Sequence, residues 1–203
     1  MVKKDSMTGR AKLQRLLADP AIDTITVKDI TAAGIWRGAV KPLVDEQQLV
    51  RCGRGLYVKQ DAWPDDLYLL QQRYPRGIFS HDTALYLLGY SDRYPLRYTL
   101  TFPKGYNSSS LNKQNLRIVR VVENNYDDGV VEIESGFGNK LRVYNLERTL
   151  CDIVRGQGCE IQVVLDAMKR YACDSANNMN RLMSYAKKLH VVPKIMRYMQ
   201  VLL

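Results

Sequence analysis

Residues 25 to 58 carry the signals of two short helices in close succession, followed by those of a tight hairpin. Thr26 can accept a backbone N–H at the start of a helix, and Asp29 lies three residues later, which is an aspartate variant of the capping box. Gly34 marks the end of that helix, because glycine readily adopts the left-handed conformation of a C-cap. The chain must therefore reverse direction before its next helix, which predicts a helix-turn-helix.

The second helix of this segment is expected to open with Trp36 and Arg37 and to continue to about Glu46. Pro42 conflicts with a helix of that length. A proline inside a helix costs about 3 kcal/mol unless it lies in the first turn. The helix therefore either starts late, near Lys41, or is kinked there.

A hairpin is expected after this helix. Gly53-Arg54-Gly55 separates residues 49 to 52 from residues 56 to 58, two segments with strand-forming side chains, and glycine suits the positive φ that such a connection needs. A basic hairpin beside a helix-turn-helix is a wing. Residues 1 to 60 are therefore predicted to form a winged helix-turn-helix domain whose second helix reads the major groove of DNA.

The charge of the chain supports a polyanionic partner. Its formal net charge is +9 and its pI is about 9.4. Residues 1 to 60 hold 11 Lys and Arg against 6 Asp and Glu, and residues 61 to 203 hold 19 against 15. The shorter segment is thus the more basic per residue. The alternative is a small helical domain with a solvated basic rim.

Six residues of the first domain are the candidate DNA contacts. For Trp36 two roles remain open, of which the sequence favours a packing anchor over a groove contact. The candidate DNA-binding residues are Lys28, Trp36, Arg37, Lys41, Arg51 and Arg54.

Residues 61 to 203 are expected to form a mixed α/β domain, so the whole chain is assigned to the α+β class. Pro64 marks the domain boundary. Four segments are expected to share one sheet, with an exposed loop at 103 to 115: residues 97–102, 116–122, 130–133 and 141–144. Helices are expected at residues 66–74, 81–88, 146–155, 160–172, 176–189 and 192–202.

A second basic surface is a further candidate, because no acidic residue follows Asp174. It is either a polyanion-binding surface, RNA included, or the solvated face of helices that pack on the domain. Its residues are Arg181, Lys187, Lys188, Lys194 and Arg197.

Catalytic and metal-binding patterns are sparse. The four cysteines contain no C-x-x-C pair and the chain has two histidines, so neither a zinc site nor a disulfide framework is supported. No phosphate-binding glycine motif is present. We expect no catalytic residue, metal or cofactor. The alternative is a metal-dependent nuclease with a winged-helix targeting domain, which would use Glu132 and Glu134 near Lys140.

The sequence also bears on where the protein works. No apolar run reaches the roughly 20 residues needed to span a bilayer, and no apolar segment follows the basic N-terminus. We therefore expect a cytoplasmic protein with reduced thiols and no membrane partner.

Four short motifs, in this order, resemble the AbiEi family of antitoxin-repressors from bacterial abortive-infection (type IV) toxin–antitoxin systems, which act in phage defence. Each motif is degenerate alone, and their order is the more specific signal. They are Gly53 to Tyr57, Gly77 to Leu85 with Leu88 to Ser91, Thr101 to Gly105, and Leu146 to Asp152.

The resemblance implies a winged helix-turn-helix that binds inverted repeats in the promoter of its own operon. It also implies that the second domain counteracts a nucleotidyltransferase-like toxin encoded alongside, without requiring a stable complex. We expect a non-enzymatic protein that is monomeric in solution and can pair on DNA. The matching residues Glu147-Arg148-Thr149 and Asp152 are interpreted as structural ion pairing.

Overall fold

The computed structural model describes residues 8–20, 22–107, 115–156 and 159–202, with no side-chain description for the last two of them. Helices and two small sheets alternate along the chain, in agreement with the predicted α+β class. The chain divides into two compact units. We call residues 1–75 with Ser135–Asn139 the N-terminal unit, and residues 76–134 with 140–203 the C-terminal unit. The sequence placed the boundary after residue 60.

The N-terminal unit combines four helices with a three-stranded antiparallel sheet whose strand order is β1-β3-β2. In chain order its elements are α1 (Gly9–Leu17), β1 (Thr24–Thr26), α2 (Val27–Ala32), a 3-10 turn (Arg37–Ala39), α3 (Val40–Asp45), β2 (Leu49–Gly53), β3 (Leu56–Lys59) and α4 (Asp66–Arg73). The core forms where the apolar faces of α1, α2 and α3 meet the sheet. Its buried residues are Leu13, Ile25, Ile30, Ile35, Ala39, Val40, Leu43 and Leu49.

The start of α3 decides between the two ways in which Pro42 could be accommodated. The chain passes through the 3-10 turn first, and α3 begins at Val40. Pro42 is then the third residue of the helix, where a backbone N–H would have no partner within the helix anyway. The late-start alternative is therefore confirmed, and the expected helix opening at Trp36 is wrong.

The segment Ser135–Asn139 belongs to the N-terminal unit and meets the start of α4 there. Asp65 is buried and caps α4, since its Oδ1 accepts the Tyr68 N–H at 3.0 Å. Its other oxygen accepts from Ser135 Oγ at 2.5 Å and from Asn139 Nδ2 at 3.0 Å. These bonds satisfy a buried carboxylate with neutral donors.

The C-terminal unit is built on a five-stranded mixed sheet with the strand order β6-β5-β4-β8-β7. Its strands are β4 (Ile78–Phe79), β5 (Tyr98–Pro103), β6 (Leu116–Val121), β7 (Val130–Glu134) and β8 (Lys140–Tyr144). The four predicted strands and their common sheet are confirmed. The central strand β4 was missed because it has two residues, too few for an alternating pattern. Residues 108 to 114 of the predicted loop lie outside the described residues.

The described part of the C-terminal unit contains five α-helices, and the predicted helices are confirmed within three residues at their ends. They are α5 (His81–Leu87), α6 (Leu146–Arg155), α7 (Ile161–Cys173), α8 (Met179–Lys188) and α9 (Val192–Leu202). Helix α5 contacts β5 and α6, and the last three helices pack on α6. Helix α6 is central: every residue from Glu147 to Val154 is buried. Its start is capped by Asn145, whose Oδ1 accepts the Arg148 N–H at 3.0 Å, which ties the helix to the end of β8.

Arg148 and Asp152 of α6 form a buried ion pair. Arg148 is 1% exposed, and its Nε donates to Asp152 Oδ2 at 2.9 Å. Its Nη1 donates to the carbonyl oxygens of Asn125 at 2.8 Å and Asp128 at 3.2 Å, and the guanidinium lies over the Tyr144 ring at 4.5 Å. Arg148 thus fixes the 122–129 connection to α6, so the structural ion pairing predicted for it is confirmed.

His81 opens α5 in the left-handed conformation, with φ of 54°, and is 4% exposed. Ser80 Oγ lies 3.1 Å from its Nδ1 and also accepts from Thr101 Oγ1 at 2.8 Å. Burial lowers the pKa of His81 from 6.5 to about 3, with smaller contributions from Arg117 and Arg148. His81 is therefore neutral in the folded protein at neutral pH.

We expect this histidine to make the protein less stable in mild acid. Because the folded-state pKa lies below the unfolded one, the unfolded chain binds the extra proton first. The contribution of His81 to the free energy of unfolding is intact above pH 6.5 and is lost as the pH falls toward 3. The loss between pH 7 and pH 5 is about 2 kcal/mol. Urea unfolding of wild type and His81→Asn measures it, since asparagine tolerates positive φ.

The matched control is His190→Asn, because His190 also has positive φ, 56°, but is exposed. His81→Asn should remove about 2 kcal/mol of the loss of stability between pH 7 and pH 5, and His190→Asn should leave that loss unchanged. An equal loss in wild type and His81→Asn would show that another group causes it.

Candidate nucleic-acid interface

The capping box predicted at the start of α2 is present. Asp29 N donates to Thr26 Oγ1 at 3.2 Å, and Thr26 N donates to Asp29 Oδ2 at 2.9 Å. The Thr26 hydroxyl also donates to the same carboxylate oxygen, at 2.7 Å. With Asp29 held at the cap, the side chain of Lys28 is exposed on the first turn of α2.

The chain turns between α2 and the next helical segment at Gly34, whose φ is 68°. Gly34 N donates to the Thr31 carbonyl at 2.9 Å, and Ile35 N donates to the Ile30 carbonyl at 3.0 Å. These two bonds close the end of α2, as a glycine C-cap does. The predicted turn is confirmed, and it delivers buried Ile35 to the core and Trp36 to the surface.

Trp36 is 75% exposed, so the packing role that the sequence favoured for it is wrong. Its indole ring lies over Gly38: a β-carbon at position 38 would be 2.1 Å from the nearest ring atom. The absence of a side chain at Gly38 therefore lets the ring fold back beside Arg37, at the entrance to α3. The sequence carries a signal for this contact, because an aromatic residue stands two positions before a glycine.

Replacing Gly38 by alanine is expected to displace the indole without unfolding the protein. The new methyl group overlaps the ring, whereas the exposed ring contributes little buried area, so the free energy of unfolding should change by no more than about 1 kcal/mol. Fluorescence of Trp36 in a Trp63→Phe background measures the displacement. Gly136→Ala is the control, since a β-carbon there meets nothing within 4 Å. An unchanged Trp36 emission would contradict the contact.

Arg37 and Lys41 are both exposed, on successive segments of the chain. Arg37 opens the 3-10 turn, and Lys41 is the second residue of α3. Buried Ala39, Val40 and Leu43 hold this stretch against the core. The two cations therefore project from a well-anchored helix start.

The predicted hairpin is confirmed as the β2–β3 pair. Its register shifts between Arg51 and Gly53, which marks a β-bulge, and Gly55 has φ of 70°. The Gly55 carbonyl accepts the Val27 N–H at 2.9 Å, which joins the turn to the start of α2. Arg51 and Arg54 are exposed, and Arg51 Nε donates to the Gly53 carbonyl at 3.2 Å. The hairpin tip is thus basic and attached to α2.

The five cationic candidates share a further property within the described part of the chain. None of them forms a salt bridge with a described carboxylate, whereas Arg10 of the same unit pairs with Glu46 at 2.7 Å. Their charge is therefore available to a partner. They are Lys28, Arg37, Lys41, Arg51 and Arg54.

The second basic surface predicted from the sequence is largely occupied by intramolecular contacts. Arg181 pairs with Glu147 at 2.8 Å, Lys188 pairs with Asp128 at 3.0 Å, and Lys194 Nζ donates to the Val154 carbonyl at 2.9 Å. The last contact satisfies an oxygen in the final turn of α6. Lys187 and Arg197 are exposed. The geometry thus favours the interpretation of α8 and α9 as packed helices.

The carboxylates considered for a nuclease lie exposed on β7. Glu132 pairs with Lys140 at 3.5 Å, and Glu134 is the register partner of Lys140 across the hairpin. Among the residues with described positions, no group of three or more His, Cys, Asp and Glu could hold a metal ion. These carboxylates therefore face the hairpin's own cation.

None of the described helices is both long and apolar enough to span a membrane.

Comparisons with known proteins identify a structural relative. Three chains of solved structures match this one. One of them, the RV2827C protein from Mycobacterium tuberculosis, has a TM-score of 0.50 at 18% sequence identity, over 89% of this chain and 81% of that chain. No family model matches the sequence, and no curated protein does. At this identity the likeness shows a shared fold and nothing about function.

Proposed function

We propose that the N-terminal unit is a winged helix-turn-helix that binds double-stranded DNA. The observation that carries the proposal is the combination of element order and charge: α1-β1-α2-α3-β2-β3 in one small unit, with exposed cations on α2, at the start of α3 and on the β2–β3 hairpin. None of these cations forms a salt bridge with a carboxylate of the described residues. A helix pair with a basic hairpin can engage a groove and the adjacent backbone together.

The roles of the cations follow from their positions. Arg37 and Lys41 lie at the beginning of the second helix of the pair, the part that meets base edges in helix-turn-helix proteins. Arg51 and Arg54 lie on the hairpin, where they would neutralise phosphates. Trp36, exposed beside Arg37, supplies an apolar surface for a thymine methyl group or a sugar.

We propose further that the chain is an autorepressor with antitoxin activity. This step rests on the resemblance to the AbiEi family carried by the motifs between residues 53 and 152. On this proposal the N-terminal unit binds inverted repeats in its own promoter, as a monomer that pairs on DNA. The C-terminal unit, in which Arg148 and Asp152 serve as internal supports, counteracts a nucleotidyltransferase-like toxin.

A two-part cellular assay tests this function. Wild type should repress a reporter driven by its own upstream region and should restore growth to cells that express the neighbouring toxin gene. Arg37→Ala/Lys41→Ala should lose repression and keep the rescue of growth. The matched control Lys187→Ala/Arg197→Ala removes two exposed cations of the C-terminal unit and should keep both activities. A wild type that neither represses nor rescues would contradict the proposal.

A further inference from the structure

A cleft of about 450 Å³ lies within the N-terminal unit, between the start of α2, the β2–β3 turn and the end of α4. Gly53 and Gly55 form part of its wall, so backbone is approachable there. A β-carbon at Gly55 would come within 3.2 Å of Val27 Cγ2. The volume falls in the range of sites that hold small ligands, so the cleft has room for a phosphate group.

Three cations from three different elements line this cleft: Lys28 from α2, Arg54 from the hairpin turn and Arg73 from the last turn of α4. All three are exposed. Among the described residues that line the cleft, none is acidic. Cations at the mouth of a concave surface focus a positive potential into it.

Other clefts of the protein show a different arrangement. The cleft lined by Arg93, Arg97 and Arg117 also contains Asp82 and Glu160, and Arg93 pairs with Glu160 at 2.8 Å. The two carboxylates there offset most of the charge of the three arginines. In the described part of the chain, neither Lys28 nor Arg54 nor Arg73 pairs with a carboxylate, so the charge of their cleft is left for a ligand.

One feature opposes an anion in this cleft. The end of α4 presents carbonyl oxygens, which carry the negative end of the helix dipole. Arg73 lies in that last turn and offsets them. Gln72 adds an amide donor to the lining. Arg73 is thus the residue on which anion binding depends most, and it lies outside the segment that sequence reasoning assigned to DNA.

We infer that this cleft binds one backbone phosphate of the DNA duplex, held by Lys28, Arg54 and Arg73. Arg73 is then a DNA-contact residue contributed by α4. The inference rests on the proposed DNA-binding function and extends it, because α4 follows the winged helix-turn-helix in the sequence. The contact is to phosphate alone, so it adds affinity without sequence preference.

Duplex binding by the full-length protein tests the inference. Wild type, Arg73→Ala and Arg73→Lys are titrated by fluorescence anisotropy against the upstream duplex and a random duplex, from 50 to 300 mM salt. Arg73→Ala should weaken binding to both duplexes by a similar factor of about three to ten. It should make the fall of log K with log salt shallower by up to about 0.9, the value for one phosphate, since Lys28 and Arg54 still contact that phosphate. Arg73→Lys should retain the slope.

Lys169→Ala is the matched control, since it removes one exposed charge from α7 of the C-terminal unit. Thermal unfolding of each variant verifies that it is folded. The phosphate assignment would be overturned if Arg73→Ala bound both duplexes as tightly as Lys169→Ala does. It would also be overturned if Arg73→Ala lost affinity for the upstream duplex alone. Failure of wild type to bind either duplex would instead overturn the proposed function itself, and this inference with it.

A set of modified duplexes locates the phosphate. Each duplex carries one uncharged methylphosphonate, at a position that moves along the backbone. We expect one position, or its symmetric mate, at which the modification weakens binding by wild type more than binding by Arg73→Ala, because the variant has already lost one of the three contacts to that phosphate. Equal weakening of both proteins at every position would contradict the inference.

Discussion

Replacing Arg148 by alanine is expected to lower the free energy of unfolding by about 3 to 5 kcal/mol, the usual cost of breaking a buried ion pair from one side. Burial raises the pKa of Asp152, which is 5% exposed, and the substitution would remove the Arg148 guanidinium that opposes this shift and pairs with the carboxyl. The carbonyls of Asn125 and Asp128 would lose their donor. The substitution also removes the guanidinium packed on Tyr144.

Urea unfolding at pH 7 measures this effect. The matched control is Arg93→Ala, which breaks the Arg93–Glu160 pair, whose side chains are 58% and 73% exposed. That variant should lose less than about 1 kcal/mol. Arg148→Met/Asp152→Leu should recover part of the loss, because no buried charge is left alone. An effect of Arg148→Ala no larger than that of Arg93→Ala would show that the buried pair does not support the fold.

The second large effect concerns DNA. Arg51→Ala/Arg54→Ala is expected to weaken duplex binding about 10- to 100-fold, since each arginine removed costs about one charge-assisted contact. Both residues are on the hairpin, so the loss should be similar for the upstream and the random duplex. The slope of log K against log salt should fall by about 1.8.

Anisotropy titrations at several salt concentrations measure this loss. Lys187→Ala/Arg197→Ala, which removes the same charge from exposed positions of α8 and α9, separates a contact from a general loss of charge. It should change affinity for either duplex much less than the hairpin variant does. Equal losses in the two variants would show that net charge, and not the hairpin, holds the DNA.

The parts of the fold that sequence predicted well are those set by neighbouring residues. The Thr26–Asp29 capping box, the Gly34 turn and the Gly53-Arg54-Gly55 hairpin each depend on a few adjacent residues, and all are present. The steric constraint of Pro42 also predicted that α3 could start late. Local chemistry was sufficient in these cases because it acts through the backbone of the residues themselves.

The parts that sequence missed depend on contacts between distant residues. Strand β4 has two residues and exists because β5 and β8 lie on either side of it. Arg181 was a candidate for a polyanion-binding surface, but in the folded unit it pairs with Glu147 of α6. Trp36 looked like a core residue because tryptophan usually is one, but Gly38 leaves room for its ring at the surface.

Only part of the candidate site could be predicted from the sequence. The sequence identified Lys28 and Arg54 from their positions beside the turn signals. It could not identify Arg73, because only the folded unit brings the end of α4 to the hairpin and α2. Charge alone could not have separated Arg73 from the other exposed arginines of this basic chain.

The salt dependence of duplex binding by the wild-type protein tests the central claim most directly. Titrations of the full-length chain compare the upstream duplex with a random duplex of equal length. We expect tighter binding of the upstream duplex and a steep linear fall of log K with log salt, about 0.9 for each phosphate contacted. Binding that is insensitive to salt, or no tighter to the upstream duplex than to the random one, would contradict the account.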